Sequence, residues 1–85
     1  MIVNTTVKTI NAAIQAARRG DWILYHTGYL WIDRTKSRQI SEVALAVRKR
    51  SNSRIWAKGE FGSGEVTMVA RKLGEMQYEY YAVKL

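Results

Sequence analysis

The chain has 85 residues, a formal net charge of +7, and neither cysteine nor proline. Without cysteine there are no disulfides, thiolate metal ligands or cysteine nucleophiles, and without proline there is no proline-rich docking segment. Hydrophobic residues at 47% and charged residues at 25% describe a globular composition rather than a disordered one.

One domain over residues 1–85 is expected, with a small core, because a chain of this size buries only about 60–65% of its unfolded surface. No apolar run approaches the roughly 20 residues that cross a bilayer. The N-terminal segment lacks the basic start and apolar stretch of a signal peptide, so the cytoplasm is the expected location and no membrane partner is expected.

The charge is not spread evenly. Residues 34–58 carry Arg34, Lys36, Arg38, Arg48, Lys49, Arg50, Arg54 and Lys58 against a single acid, Glu42. Elsewhere Lys8, Arg18, Arg19, Arg71, Lys72 and Lys84 are offset one for one by Asp21, Asp33, Glu60, Glu65, Glu75 and Glu79. A basic excess confined to one window of a small chain points to a polyanion-binding face, most often for nucleic acid.

In chain order, residues 5–19 predict a first helix. Val7, Ile10, Ala13, Ile14 and Ala17 form one apolar stripe. Asn4, Thr5 or Thr6 caps its start, Arg18 and Arg19 complement the dipole in its last turn, and Gly20 stops it. Residues 22–31, WILYHTGYLW, are aromatic and β-branched and predict a strand bent or bulged at Gly28. The polar stretch 33–37 leads into a second helix to about residue 49, capped by Thr35 or Ser37, with Ile40, Val43, Ala44 and Val47 on one face. The run Arg48-Lys49-Arg50 completes its last turn. After a turn at Ser51-Asn52-Ser53, residues 53–61 predict a short third helix weakened by Gly59, and Gly62-Ser63-Gly64 ends it. Alternation in residues 66–71 and 78–83, around a glycine-containing turn at 72–77, predicts an antiparallel hairpin.

The order helix, strand, helix, turn, short helix, hairpin is that of an α+β winged-helix-like domain. The middle helices would form a helix-turn-helix, the hairpin the wing, and the early strand would join the hairpin in a three-stranded antiparallel sheet. The basic window then covers the helix-turn-helix. On the segments GDWILYHTGYL followed by DR, VALAVRKR and EVTMVARKLGEMQYEYYAVKL, the chain resembles small winged-helix-like proteins encoded in phages and prophages. The resemblance spans residues 20–50 and 64–85, and implies a fold and a bacterial-host setting more than a function. The glycine-interrupted segment IWAKGEFGSG departs from it and makes a poor recognition helix.

If the chain binds DNA, Arg48, Lys49, Arg50, Arg54 and Lys58 are the main candidates, mostly for phosphate contacts. Asn52, Ser53 and Arg54 are of types that reach base edges or phosphates. Lys72 lies at the root of the wing and Gln77 at its other shoulder, while Glu75 and Met76 leave the tip weakly basic. Arg38 completes the set, although its spacing to Glu42 also suits an exposed helix pair. Of the aromatic residues, Trp22, Trp56 and one face of the hairpin are expected in the core. Tyr78 and Tyr80 share one strand face and Tyr81 takes the other, so a ring is left for a dimer or partner interface.

The residues do not suggest an enzyme. His26 is the one histidine, the acids show no paired spacing, metal-ligand spacings are absent, and GEFGSGE lacks the phosphate-loop pattern. No cofactor or metal is expected. The leading expectation is a double-stranded-DNA-binding regulator or accessory factor, dimeric if it reads two half-sites. The competing classes are a protein-interaction module, such as a phage inhibitor of a host complex, and an RNA binder.

Overall fold

Two threonines begin the first helix. The Thr6 hydroxyl accepts from the Thr9 amide at 3.1 Å and the Thr9 hydroxyl accepts from the Thr6 amide at 2.9 Å. This reciprocal cap satisfies amides that have no partner within the helix. The computed structural model describes residues 6–55 and 60–85. In chain order its elements are α1 (Val7–Ala16), β1 (Trp22–Gly28), α2 (Leu30–Lys36), α3 (Arg38–Arg50), β2 (Arg54–Ile55), β3 (Glu60–Phe61), β4 (Val66–Gly74) and β5 (Gln77–Lys84).

Helix α1 ends earlier than its sequence suggests. Ala17 has left helical geometry at φ −69° and ψ 147°, which places Arg18 and Arg19 beyond the last turn. The cation at that end of α1 is Lys84, whose Nζ donates to the Ile14 carbonyl at 2.9 Å. A residue from the far end of the chain therefore takes the dipole-complementing role expected of the two arginines. The Arg18 backbone instead closes a turn with Asp21, which carries the chain through Gly20 at φ +88° into β1.

Strand β1 stops at Gly28 instead of running on to Trp31, and its bulge lies at Tyr25, where the pairing with β5 shifts between Leu24 and His26. The bulge turns both Tyr25 and His26 toward Tyr80, with ring centroids 6.4 and 5.8 Å away. Gly28, at φ +133°, then breaks the strand in a conformation that L side chains rarely adopt. The next residues form α2, where the sequence suggests strand followed by a polar connection. Asp33 accounts for the switch. Its Oδ2 accepts from the Tyr29 amide at 3.0 Å and lies 2.7 Å from His26 Nε2. The Tyr80 hydroxyl accepts from the Leu30 amide at 3.0 Å. A carboxylate one turn on and a hydroxyl fifty residues away thus satisfy the start of a helix whose N-cap residue, Tyr29, offers no side-chain cap.

Helix α3 begins as expected, with Ser37 Oγ accepting from the Ile40 amide at 3.4 Å. The expected third helix does not form. Arg54–Ile55 and Glu60–Phe61 are instead extended and paired antiparallel as β2 and β3. This small ladder folds back on the C-terminal end of α3. The Ser63 amide donates to the Lys49 carbonyl at 3.0 Å and the Gly64 amide to the Ser51 carbonyl at 3.1 Å. Trp56, Lys58 and Gly59 lie outside the described residues.

Strands β4 and β5 form the expected hairpin, closed by Glu75-Met76, with Met76 at φ 55°. β1 joins on the β5 side, giving a three-stranded antiparallel sheet of order β1-β5-β4. Helices α1 and α3 cover one of its faces. Ile10 and Ile14 on α1 and Val43 and Val47 on α3 meet Ile23, Tyr25, Val66 and Ala82 from the sheet. Each fully buried valine or isoleucine contributes about 1.5–3 kcal/mol by leaving water. Trp22 is not in this core. Strand alternation sends Ile23 inward, leaving Trp22 47% exposed on the outer face, edge-on to Tyr81 at 5.2 Å. No helix among the described residues is long and apolar enough to cross a membrane.

Two expectations follow for stability. A Cβ on Gly62 would collide with the Ser51 and Arg48 carbonyl oxygens. Gly62→Ala should therefore cost about 1–3 kcal/mol in urea denaturation, and an unchanged midpoint would contradict this packing. Asp33 is the pH-sensitive partner. Its hydrogen bond from His26 holds the carboxyl below the usual carboxylate range, with help from the Tyr29 amide and the charges of His26 and Lys36, while desolvation opposes the shift. A lowered folded pKa stabilises above the unfolded value of about 3.9 and is lost as pH falls through the folded one. Asp33→Asn should accordingly lower the melting temperature at neutral pH, and the gap to the parent chain should narrow below about pH 4.

Candidate nucleic-acid interface

Most of the described part of the basic window lies on two consecutive helices joined by the single residue Ser37, with Arg54 beyond them on β2. On α2, Arg34 and Lys36 are exposed, and the Arg34 guanidinium sits 4.8 Å from the ring centroid of Trp31, which is itself 61% exposed. On α3, Arg38 and Lys49 are exposed. Arg38 Nε is 3.6 Å from Glu42, in the expected one-turn pair, but its side chain is 93% exposed and the pair is weak in water.

The remaining arginines of α3 are half-buried. Arg50 Nη1 donates to Glu65 Oε2 at 2.7 Å and its Nε donates to Asn11 Oδ1 at 3.0 Å. That side chain ties α3 both to α1 and to the segment entering β4. Arg48 is half-buried and turns toward the sheet, where its charge acts on the Tyr25 phenol. Burial pushes that phenol up to about 12, and the Arg48 charge pulls against the rise.

Asn52 and Ser53 do not start a helix. The Asn52 amide donates to the Val66 carbonyl at 3.0 Å, and the Ser53 carbonyl accepts from the Gly62 amide at 3.0 Å. The exposed Asn52 side chain stands on a loop, and Ser53 is half-buried, its amide donating to Ser51 Oγ at 3.1 Å. Arg54 lies on β2, and Lys58 lies outside the described residues. Lys72, near the end of β4, faces Tyr78 across the ladder and is exposed. Gln77 opens β5 opposite Gly74, also exposed.

The candidates thus separate into groups. Arg38 and Lys49 present exposed charge on α3, and Lys72 and Gln77 mark the hairpin end of the sheet. Arg50 belongs to the tertiary structure. Arg34 and Lys36 extend the exposed set beyond the candidates that sequence reasoning singles out. Their charge is plain in the sequence, but the aromatic run before them reads as strand and hides the helix that displays them.

No protein-family model matches the chain, and no curated protein or solved structure is significantly similar to it.

If Arg50 is a tie rather than a contact, its loss should appear in stability first. A double-mutant cycle with Arg50→Gln and Glu65→Gln should give a coupling of about 1 kcal/mol in denaturant unfolding. Strictly additive substitutions would contradict the assignment.

Proposed function

We propose that this chain is a non-enzymatic module that binds double-stranded DNA through the exposed faces of α2 and α3, with β4–β5 as a flanking wing. The observation that carries the reading is the exposure of Arg34, Lys36, Arg38 and Lys49 on two adjoining helices of a chain whose entire net charge lies in that window. Of the two acids on the same helices, Asp33 is engaged by His26 and Glu42 pairs with Arg38. A field of this kind attracts phosphate backbones irrespective of sequence.

The winged-helix reading draws support from the element order. One helix and one strand precede a pair of helices, a long hairpin follows, and the first strand lies beside the second strand of that hairpin. In this reading α3 takes the place of the recognition helix, a role that the sequence pattern offers to residues 53–61. Phosphate contacts from Arg38 and Lys49 would give affinity and orientation rather than base readout. A regulator or accessory factor of phage or prophage origin, working in the cytoplasm of a bacterial host, is the setting that fits the reading.

A protein-interaction module is the second reading, favoured by the sheet face opposite the helices. Trp22 and Tyr81 stand together there, with Leu24, Val69 and Val83 on the same side by strand alternation.

Fluorescence anisotropy with a random duplex, a single strand and an RNA hairpin separates these readings. Duplex binding should weaken steeply with salt, and Arg38→Gln or Lys49→Gln should each reduce the log–log salt slope by about one. Comparable or tighter binding to the RNA hairpin would replace DNA with RNA. Affinity no better than micromolar for every nucleic acid at low salt would overturn the proposal and leave the protein-interaction reading.

A further inference from the structure

Between α2, α3 and the inner face of the sheet lies a cavity of about 480 Å³. It arises where the core gives out. Val43 and Val47 pack α3 against the sheet on one side, but the small side chains of Ser41 and Ala44 on the neighbouring side leave the gap to α2 unfilled. The volume falls in the range that small-molecule pockets occupy.

The lining specifies what would fit. Tyr25 and Tyr80 contribute aromatic rings from the sheet, Trp31 a third from α2, and Met68 and Leu45 apolar flanks. Arg34 from α2 and Arg48 from α3 also line it, and none of the lining residues is acidic. The Tyr80 hydroxyl, having accepted the Leu30 amide, keeps its own proton to donate. An apolar space walled by rings favours a planar ring. Two guanidiniums at the same cavity favour an oxyanion, to which arginine presents parallel N–H donors in a fixed fork.

We propose that this cavity is a ligand site for a small aromatic carboxylate, its ring among Tyr25, Trp31 and Tyr80 and its carboxylate on Arg34 and Arg48. The site is built from the packing of the helices on the sheet and stands whether or not the chain binds DNA. Charge complementarity fixes the class. An uncharged ring of the same shape would keep the stacking and lose the charge-assisted hydrogen bonds, and a cation would meet two arginines.

The test is a titration of the full chain with benzoate and with indole-3-acetate, followed by amide chemical shifts in ¹H–¹⁵N spectra. Benzamide and indole-3-acetamide serve as neutral isosteres, and adenosine and guanosine monophosphates as a second class of aromatic anion. Saturable shifts are expected at Tyr25, Arg34, Ser41, Arg48 and Tyr80. The amides should bind about tenfold or more weakly, and Arg34→Gln should weaken the acids by a similar factor. Arg34 is exposed on α2, so this variant should fold, and the comparison of acid with amide needs no variant. Equal affinity for acid and amide would overturn the proposal. So would shifts that do not saturate into the millimolar range, or that fall outside the cavity. Tighter binding of a nucleotide than of either acid would overturn it too, reassigning the site to a base and phosphate.

Discussion

The C-terminal end of α3 is held from several directions at once, and most of the molecule depends on how. Ser51, fully buried, donates its hydroxyl to the Arg48 carbonyl at 2.7 Å and accepts from the Ser53 amide. Amides of Ser63 and Gly64 reach the Lys49 and Ser51 carbonyls, and Arg50 extends sideways to Asn11 and Glu65. The final carbonyls of a helix must find donors from somewhere. Ser51 serves Arg48 locally, but the donors to Lys49 and Ser51 come from 14 and 13 residues further on, a segment that reaches them by doubling back. A third helix over residues 53–61 would carry the chain away from those carbonyls. The β2–β3 ladder brings it back, and Gly62 is the point where backbone passes backbone too closely for any side chain.

One local and one long-range acceptor make α2. By composition WILYHTGYLW belongs to a strand, and through Gly28 it behaves as one. Beyond that glycine, the Asp33 carboxylate and the Tyr80 hydroxyl supply acceptors for the amides of Tyr29 and Leu30. The helix so formed stands Trp31 and Arg34 beside α3 and opens the cavity against Tyr25 and Tyr80. Had the strand continued to Trp31, those residues would have extended the sheet edge, with neither exposed basic helix nor pocket.

What was legible in the sequence follows from how local each cause is. The α1 and α3 stripes, the Thr6 and Ser37 caps and the alternation of β4 and β5 rest on neighbours within about one turn or one pleat, and a pattern reading reaches them. The three-stranded sheet was legible too, because an alternating hairpin needs a third strand to be stable. The third helix, the run to Trp31, the buried Trp22 and the dipole role of Arg18 and Arg19 differ from the structure. All but Trp22 involve a partner distant in sequence: the Lys49 and Ser51 carbonyls for the Ser63 and Gly64 amides, Tyr80 for Leu30, Lys84 for Ile14. Trp22 adds a question of phase. A strand reading gives period but not which set of residues faces inward, and Ile23 with Tyr25 took the core.

The candidate site divides along the same line. Counting charge finds the basic window but treats its members as equivalent. Folding makes them unequal. Arg50 commits its guanidinium to Glu65 and Asn11, and moving it onto a phosphate would leave a partly shielded carboxylate without its partner, a loss that offsets the new bond to phosphate. Lys49 is exposed and a phosphate there would displace mainly solvent and counterions, while Arg38 would give up only its weak, exposed pair with Glu42. On the proposed reading, affinity for a polyanion would rest on the cations that folding leaves in water, and among the described residues of the basic window those are Arg34 and Lys36 on α2 and Arg38 and Lys49 on α3.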